Sequence, residues 1–198
     1  TTNFNESGAF YYTNPEEPSP DIQLHFAFSM VDQHGLKKHG RGGFTCHICV
    51  LRPKSVGSVK LADANPNSPP LIDPAFLKDE RDLDTMLAGV KQAQQIMQAP
   101  SFDAHRGKAL YAGASNDDEE LKEDIRNRAD TIYNPVGTCK MGPDSDPNAV
   151  VDQRLRVRGI KSLRVIDASI MPKIVSGNTN APSIMIGEKG AHMILEDA

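Results

Sequence analysis

Apolar positions along the chain fall into two rhythms, and the change from one to the other outlines the fold. From Ile22 to Met30 they alternate around His25, Phe26 and Phe28, the period-two pattern of a strand. Phe44 to Arg52 is a longer strand and Gly57 to Ala62 a second. The turn Pro53-Lys54-Ser55-Val56-Gly57 between them predicts a hairpin. Asn65-Pro66-Asn67-Ser68-Pro69-Pro70 enforces a loop, and Leu71-Ile72 is a short extended piece expected to add to the same sheet. Asp73-Pro74 reads as a cap followed by a first-turn proline. The period then changes: Leu83, Met86, Leu87, Val90 and Met97 share one face of a helix running from about Glu80 to Gln98 and ending before Pro100. Asn116-Asp117-Asp118-Glu119-Glu120 opens another helix, with acids at its positive end and Arg126 and Arg128 near its negative end. Leu163 to Ile166 reads as a short buried strand, and Asn180 to Leu195, with a cap and an early Pro182, as a final helix. The first twenty residues, punctuated by Asn14-Pro15 and Pro18-Ser19-Pro20, read as irregular linker, and Gln33 to Gly43 as a glycine-rich charged loop.

Composition narrows the function classes. The 198 residues suffice for one well-buried domain, with or without a satellite element. The start at Thr1-Thr2, without Met, leads us to expect a piece of something longer. A net charge of −4 and the lack of a Lys/Arg block argue against nucleic acid as a partner. The single basic cluster, Lys37-Lys38-His39-Gly40-Arg41, reads as a solvated loop. No apolar run approaches the ~20 residues that span a bilayer. The sparse set Cys46, Cys49 and Cys139 indicates a reducing compartment, hence a cytoplasmic setting, with peripheral attachment to the inner membrane left open. Cys46 and Cys49 lie three apart on a strand and so point to opposite faces, and no second Cys/His pair follows, so no metal site is expected.

Three segments carry most of the functional information: Tyr133-Asn134-Pro135-Val136-Gly137-Thr138-Cys139-Lys140-Met141-Gly142, Leu163-Arg164-Val165-Ile166-Asp167-Ala168-Ser169, and Asn178-Thr179-Asn180-Ala181-Pro182. In order and spacing they resemble the C-terminal blocks of the glucose-methanol-choline (GMC) family of FAD-dependent alcohol oxidoreductases. Gly42-Gly43-Phe44-Thr45-Cys46-His47, Leu51 to Val59, and Pro70-Leu71-Ile72-Asp73-Pro74 are similar to the choline dehydrogenase and aliphatic alcohol dehydrogenase branches. The resemblance implies an α+β fold: an antiparallel or mixed sheet with helices packed on one side, forming a substrate-binding domain over 21–162. Residues 1–20 would be linker, and 163–198 the last strand and helix of the FAD domain. The family's Gly-x-Gly-x-x-Gly fingerprint is not found here. The implied object is therefore a C-terminal fragment, inactive by itself, whose partners are an upstream FAD-binding domain and a small alcohol. FAD would belong to the full-length parent and not stay on this chain.

The resemblance also assigns roles. The family's active-site histidine falls at Asn134, and the second member of its active-site pair at Asn178, which would position the substrate oxygen through its amide. Neither amide accepts a full proton at neutral pH, unlike histidine with its unperturbed pKa of ~6.5. Either the substitution, natural or engineered, keeps binding and removes acid–base function, or a different base operates. Asp167 and Ala168 match a segment that lies along the ribityl chain. Asn180, Ala181 and Pro182 would aim the last helix at the flavin's pyrimidine edge, where reduction places negative charge. Tyr133 is a candidate for lining the substrate pocket. A stand-alone, non-catalytic binding module of the same fold is the alternative; an in-frame upstream Gly-x-Gly-x-x-Gly would exclude it.

Overall fold

The alternating segment after Asp21 becomes the middle strand of an antiparallel sheet. In the computed structural model, which describes residues 4–40 and 42–197, three strands run in the order β1 (Asn5–Tyr11), β2 (Ile22–Ala27) and β3 (Thr45–Val50). β2 is paired along both edges, and its Ile22 and Ala27 are fully buried. The pairing His25↔His47 and Leu24↔Ile48 sends Leu24, Ile48 and Cys46 to one face. Helix α1 (Glu80–Met97) packs on that face through Ala93 and Ile96. Tyr11 ties the edge strand to the helix by donating from its hydroxyl to the Gly89 carbonyl at 3.0 Å. Phe26, Phe44 and Phe102 extend the same core, with ring centroids 5.5 to 5.8 Å apart.

The helical stripe behaves as its spacing predicts. Leu83 and Leu87 are buried on α1 and meet Leu121 and Ile125 of α2 (Asp118–Arg128). Each helix starts on an aspartate whose carboxylate accepts first-turn amides: Asp79 from Arg81, and Asp117 from Glu119 and Glu120. Asp82, buried at 4% exposure, faces inward and accepts from the amides of Lys54 and Ser55 at 2.7 and 2.9 Å. It thereby satisfies a loop that has no strand partner.

Two compact units result. The first comprises the described residues up to Val56 together with 75–130; the second comprises 57–74 and 131–197. The α+β arrangement, an antiparallel sheet with helices on one side, is that of the first unit. The second has a two-stranded sheet, β4 (Ser58–Lys60) paired with β5 (Leu71–Asp73), and helix α3 (Asn180–Glu196) over a core of Val151, Leu155, Ile170, Met171 and Ile186.

Several expectations are corrected. The polar N-terminal stretch is not all irregular: β1 is an edge strand, exposed along most of its length, so no alternation betrayed it. The turn at 53–57 closes no hairpin, since β3 pairs with β2 and β4 with β5; Leu71-Ile72 therefore adds to a separate sheet. Asp73-Pro74 caps nothing, as α1 opens six residues later on Asp79. Leu163–Ile166 forms no strand beyond a single bridge, Arg156↔Arg164, and Leu163 is 46% exposed. The basic loop is only partly solvated: Lys37 and His39 surround Asp32 together with Arg128 and Tyr111, while Arg41 lies outside the described residues. The Tyr111 hydroxyl, first among these partners, holds the Asp32 carboxyl below its usual range. Among the described residues no helix is long and apolar enough to cross a membrane.

Candidate functional site

All eight residues assigned a role lie in the second unit, and its turns explain how they meet. Gly137 takes φ +90°, a conformation side chains rarely adopt, and there the chain reverses just after Asn134-Pro135. The reversal lays Cys139 and Met141 beside the short 3₁₀ turn at 168–170. The Cys139 amide donates to the Ser169 carbonyl at 3.0 Å and the Met141 amide to the Ile170 carbonyl at 2.7 Å. Asp167 starts that turn by accepting from the Ser169 amide and hydroxyl at 2.8 and 2.5 Å. Both bonds fall on Oδ1 of this exposed carboxylate. The first two sequence blocks are stitched together by main chain.

The third block joins through one side chain. Asn134 Oδ1 accepts from the Thr179 amide at 2.8 Å and from the Thr179 hydroxyl at 2.7 Å, while its Nδ2 donates to the Ile132 carbonyl at 2.6 Å. Asn134 therefore sits against the segment that carries Asn178 and Asn180. Tyr133 and Ser176, at φ +63° and +61°, hold backbone in the left-handed region on either side of the pair. Tyr133 is 67% exposed and so is not part of a packed core.

Asn178, Asn180 and Ala181 are exposed, whereas Thr179 between them is buried. The position ahead of α3 is Thr179, one residue earlier than the cap read from the sequence, and no side chain caps the helix there. Its hydroxyl donates to Asn134 instead, so the start of α3 presents Asn180 and Ala181 uncapped, beside Gly177, which has open space around it. Further back the helix is fixed: Gly190 rests on Ile166, and Arg154, Arg156 and Arg164 converge on Asp197 beyond its last turn. Those guanidinium groups, Arg164 foremost, hold the Asp197 carboxyl down at about 2. Thr179 is the residue the sequence reading passed over. Its signal was the Asn-Thr-Asn spacing, where the middle residue alone turns inward.

Comparisons with known proteins identify the family. The family model described as GMC oxidoreductase matches residues 53–187, so the chain belongs to the GMC oxidoreductase family. An "Alcohol dehydrogenase [acceptor]" of Pseudomonas putida is 49% identical over 196 residues, covering 98% of this chain and 35% of its own length. The mitochondrial choline dehydrogenase of Homo sapiens is 44% identical over 190 residues, covering 96% and 32%. Among solved structures, pyridoxine 4-oxidase from Mesorbium loti superposes with a TM-score of 0.88 at 27% identity, over 98% of this chain and 38% of that one. The chain thus spans about a third of the length of the curated relatives it matches.

Proposed function

We propose that this chain is the substrate-side part of an FAD-dependent alcohol dehydrogenase that oxidises a primary alcohol, choline or an aliphatic one, to the aldehyde. The observation that carries the reading is the Asn134–Thr179 link, which brings the two family active-site positions to the uncapped start of α3. The donor set suits the pyrimidine edge of a flavin: first-turn amides of α3, the exposed Asn178 side chain, and the backbone of 167–168. Bound FAD would supply the acceptor for the hydride that leaves the alcohol carbon.

The chain's own residues divide the remaining work. Asn178 holds the substrate oxygen through its amide, Tyr133 borders the alcohol, and Asn134 keeps the two loops together. The hydroxyl proton passes to a group other than these amides, which have no basic lone pair at neutral pH. Residues 21–162 would serve the substrate and 163–198 would complete the FAD domain, whose remainder lies on an upstream domain of the same polypeptide. The chain alone would then be inactive and would not retain FAD. A cytoplasmic setting, peripheral to the inner membrane, accompanies this reading.

The test uses the full-length flavoprotein. Alcohol should bleach its flavin in rapid mixing, and Asn178→Ala, which removes the amide held to the substrate oxygen, should slow that bleaching by ~10²-fold, the scale of one lost donor at a reacting oxygen. An unchanged rate would show that Asn178 does not hold the substrate oxygen, and a protein without flavin absorbance would refute the reading altogether. Choline compared with medium-chain alcohols then sets the substrate.

A further inference from the structure

We propose that Asn134 and Thr179 form a positioning pair, in which Asn134 fixes the register of Asn178 and the opening of α3 without itself handling the substrate proton; the inference rests on the reading of the site given above. Asn134 is suited to this by its lone-pair count. One carbonyl oxygen accepts both Thr179 donors, at 2.8 and 2.7 Å, while the same side chain donates to the Ile132 carbonyl at 2.6 Å. A neutral imidazole offers a single acceptor nitrogen, and a carboxylate accepts twice but donates nothing. Among these residues, the amide alone makes all three bonds.

Thr179 is the matching half. Threonine ahead of a helix ordinarily accepts from a first-turn amide. Here it caps nothing: its hydroxyl donates across the chain to Asn134, and its carbonyl accepts from the amide and hydroxyl of Ser183 at 3.0 and 2.6 Å. It is 8% exposed, so the link is shielded from competing water. Since Asn178 and Asn180 flank it directly, any slip of Thr179 moves both. The left-handed backbone at Tyr133 and Ser176 is a strain that the pair has to hold in place.

Two arms, both on the full-length flavoprotein, separate this pair from the flavin site on which it bears. In hydrogen exchange, the residue-179 amide should exchange at least tenfold faster in Asn134→Ala than in wild type. Asn134→Asp, which keeps the acceptor, should stay within about threefold of wild type. Equal exchange in all three would overturn the pair, whether or not flavin is bound. In the second arm, Thr179→Val should shift the visible flavin band and slow alcohol-dependent bleaching about tenfold, and Thr179→Ser should restore both. Unaltered spectrum and rate in Thr179→Val, with the exchange effect present, would reduce the link to a structural tie and overturn its positioning role. Wild-type protein that protects residue 179 but shows no alcohol-dependent bleaching would refute the proposed function and with it the positioning role.

Discussion

In the first unit, Leu83 and Leu87 of α1 meet Leu121 and Ile125 of α2 in a cluster built from two regular helices. In the second, Val151, Leu155, Ile170 and Ile186 are gathered by turns, isolated bridges and main-chain bonds such as Val165 amide to Leu155 carbonyl, 3.1 Å. Both cores are well buried, yet only the first is announced by periodic spacing. The difference shows that a site can be held firmly by chain reversals, each specified by one or two residues, as long as the main chain pairs with itself. Reversals also leave backbone and amides exposed where helices would hide them, as at the candidate site residues of the second unit.

The comparison breaks most sharply at the two cores. Leu121→Ala and Leu155→Ala should each cost about 2–5 kcal/mol, the range for leucines truncated in a packed interior. The first should speed exchange of α1 and α2 amides, the second that of the Val165 amide. If either substitution loosened both regions equally in mass-spectrometric exchange, the two-unit description would fail. A smaller effect is expected on α3. At Gly190 an added methyl overlaps Ile166, so Gly190→Ala should lose about 1–3 kcal/mol from overpacking against a helix-propensity gain of up to ~1 kcal/mol. At Gly187 nothing lies within 4 Å of the added Cβ, and Gly187→Ala should raise the denaturation midpoint instead. Equal midpoints for the two variants would mean that α3 does not rest on Ile166.

The mildest prediction concerns acid. Asp79 at the start of α1 and Asp197 beyond the end of α3 are both depressed from 3.8 to about 2, by Arg81 in the first case and by Arg164, then Arg156, in the second. A depressed folded-state pKa stabilises above the unfolded value, and that contribution fades as pH falls from about 4 through about 2. Carboxyl carbon NMR titration should place both midpoints near 2. Asp197→Asn should flatten the acid loss in α3 alone, and Asp79→Asn that in α1 alone.

Legibility followed the same division. α1 was readable to within a residue or two from its apolar stripe, though its Asp79 cap was not, and α2 from the acids that open it and the arginines near its end, all local signals. β1 was missed because an exposed edge strand shows no alternation, and the partners of β3 and β4 were misjudged because strand pairing depends on residues distant in sequence. Motif resemblance assigned roles to Asn134, Asn178 and the start of α3, which the structure brings near one another. Spacing could not show that Asn134 spends its carbonyl oxygen on Thr179, since that bond spans 45 positions.

The gathering of Arg154, Arg156 and Arg164 around Asp197 turns α3 into a rod pinned at its tail. Its 17 residues carry that pin about 25 Å from Thr179. Asp197→Ala would therefore release the far end of α3 from the loops that carry Arg154, Arg156 and Arg164 while leaving its first turn tied through Thr179.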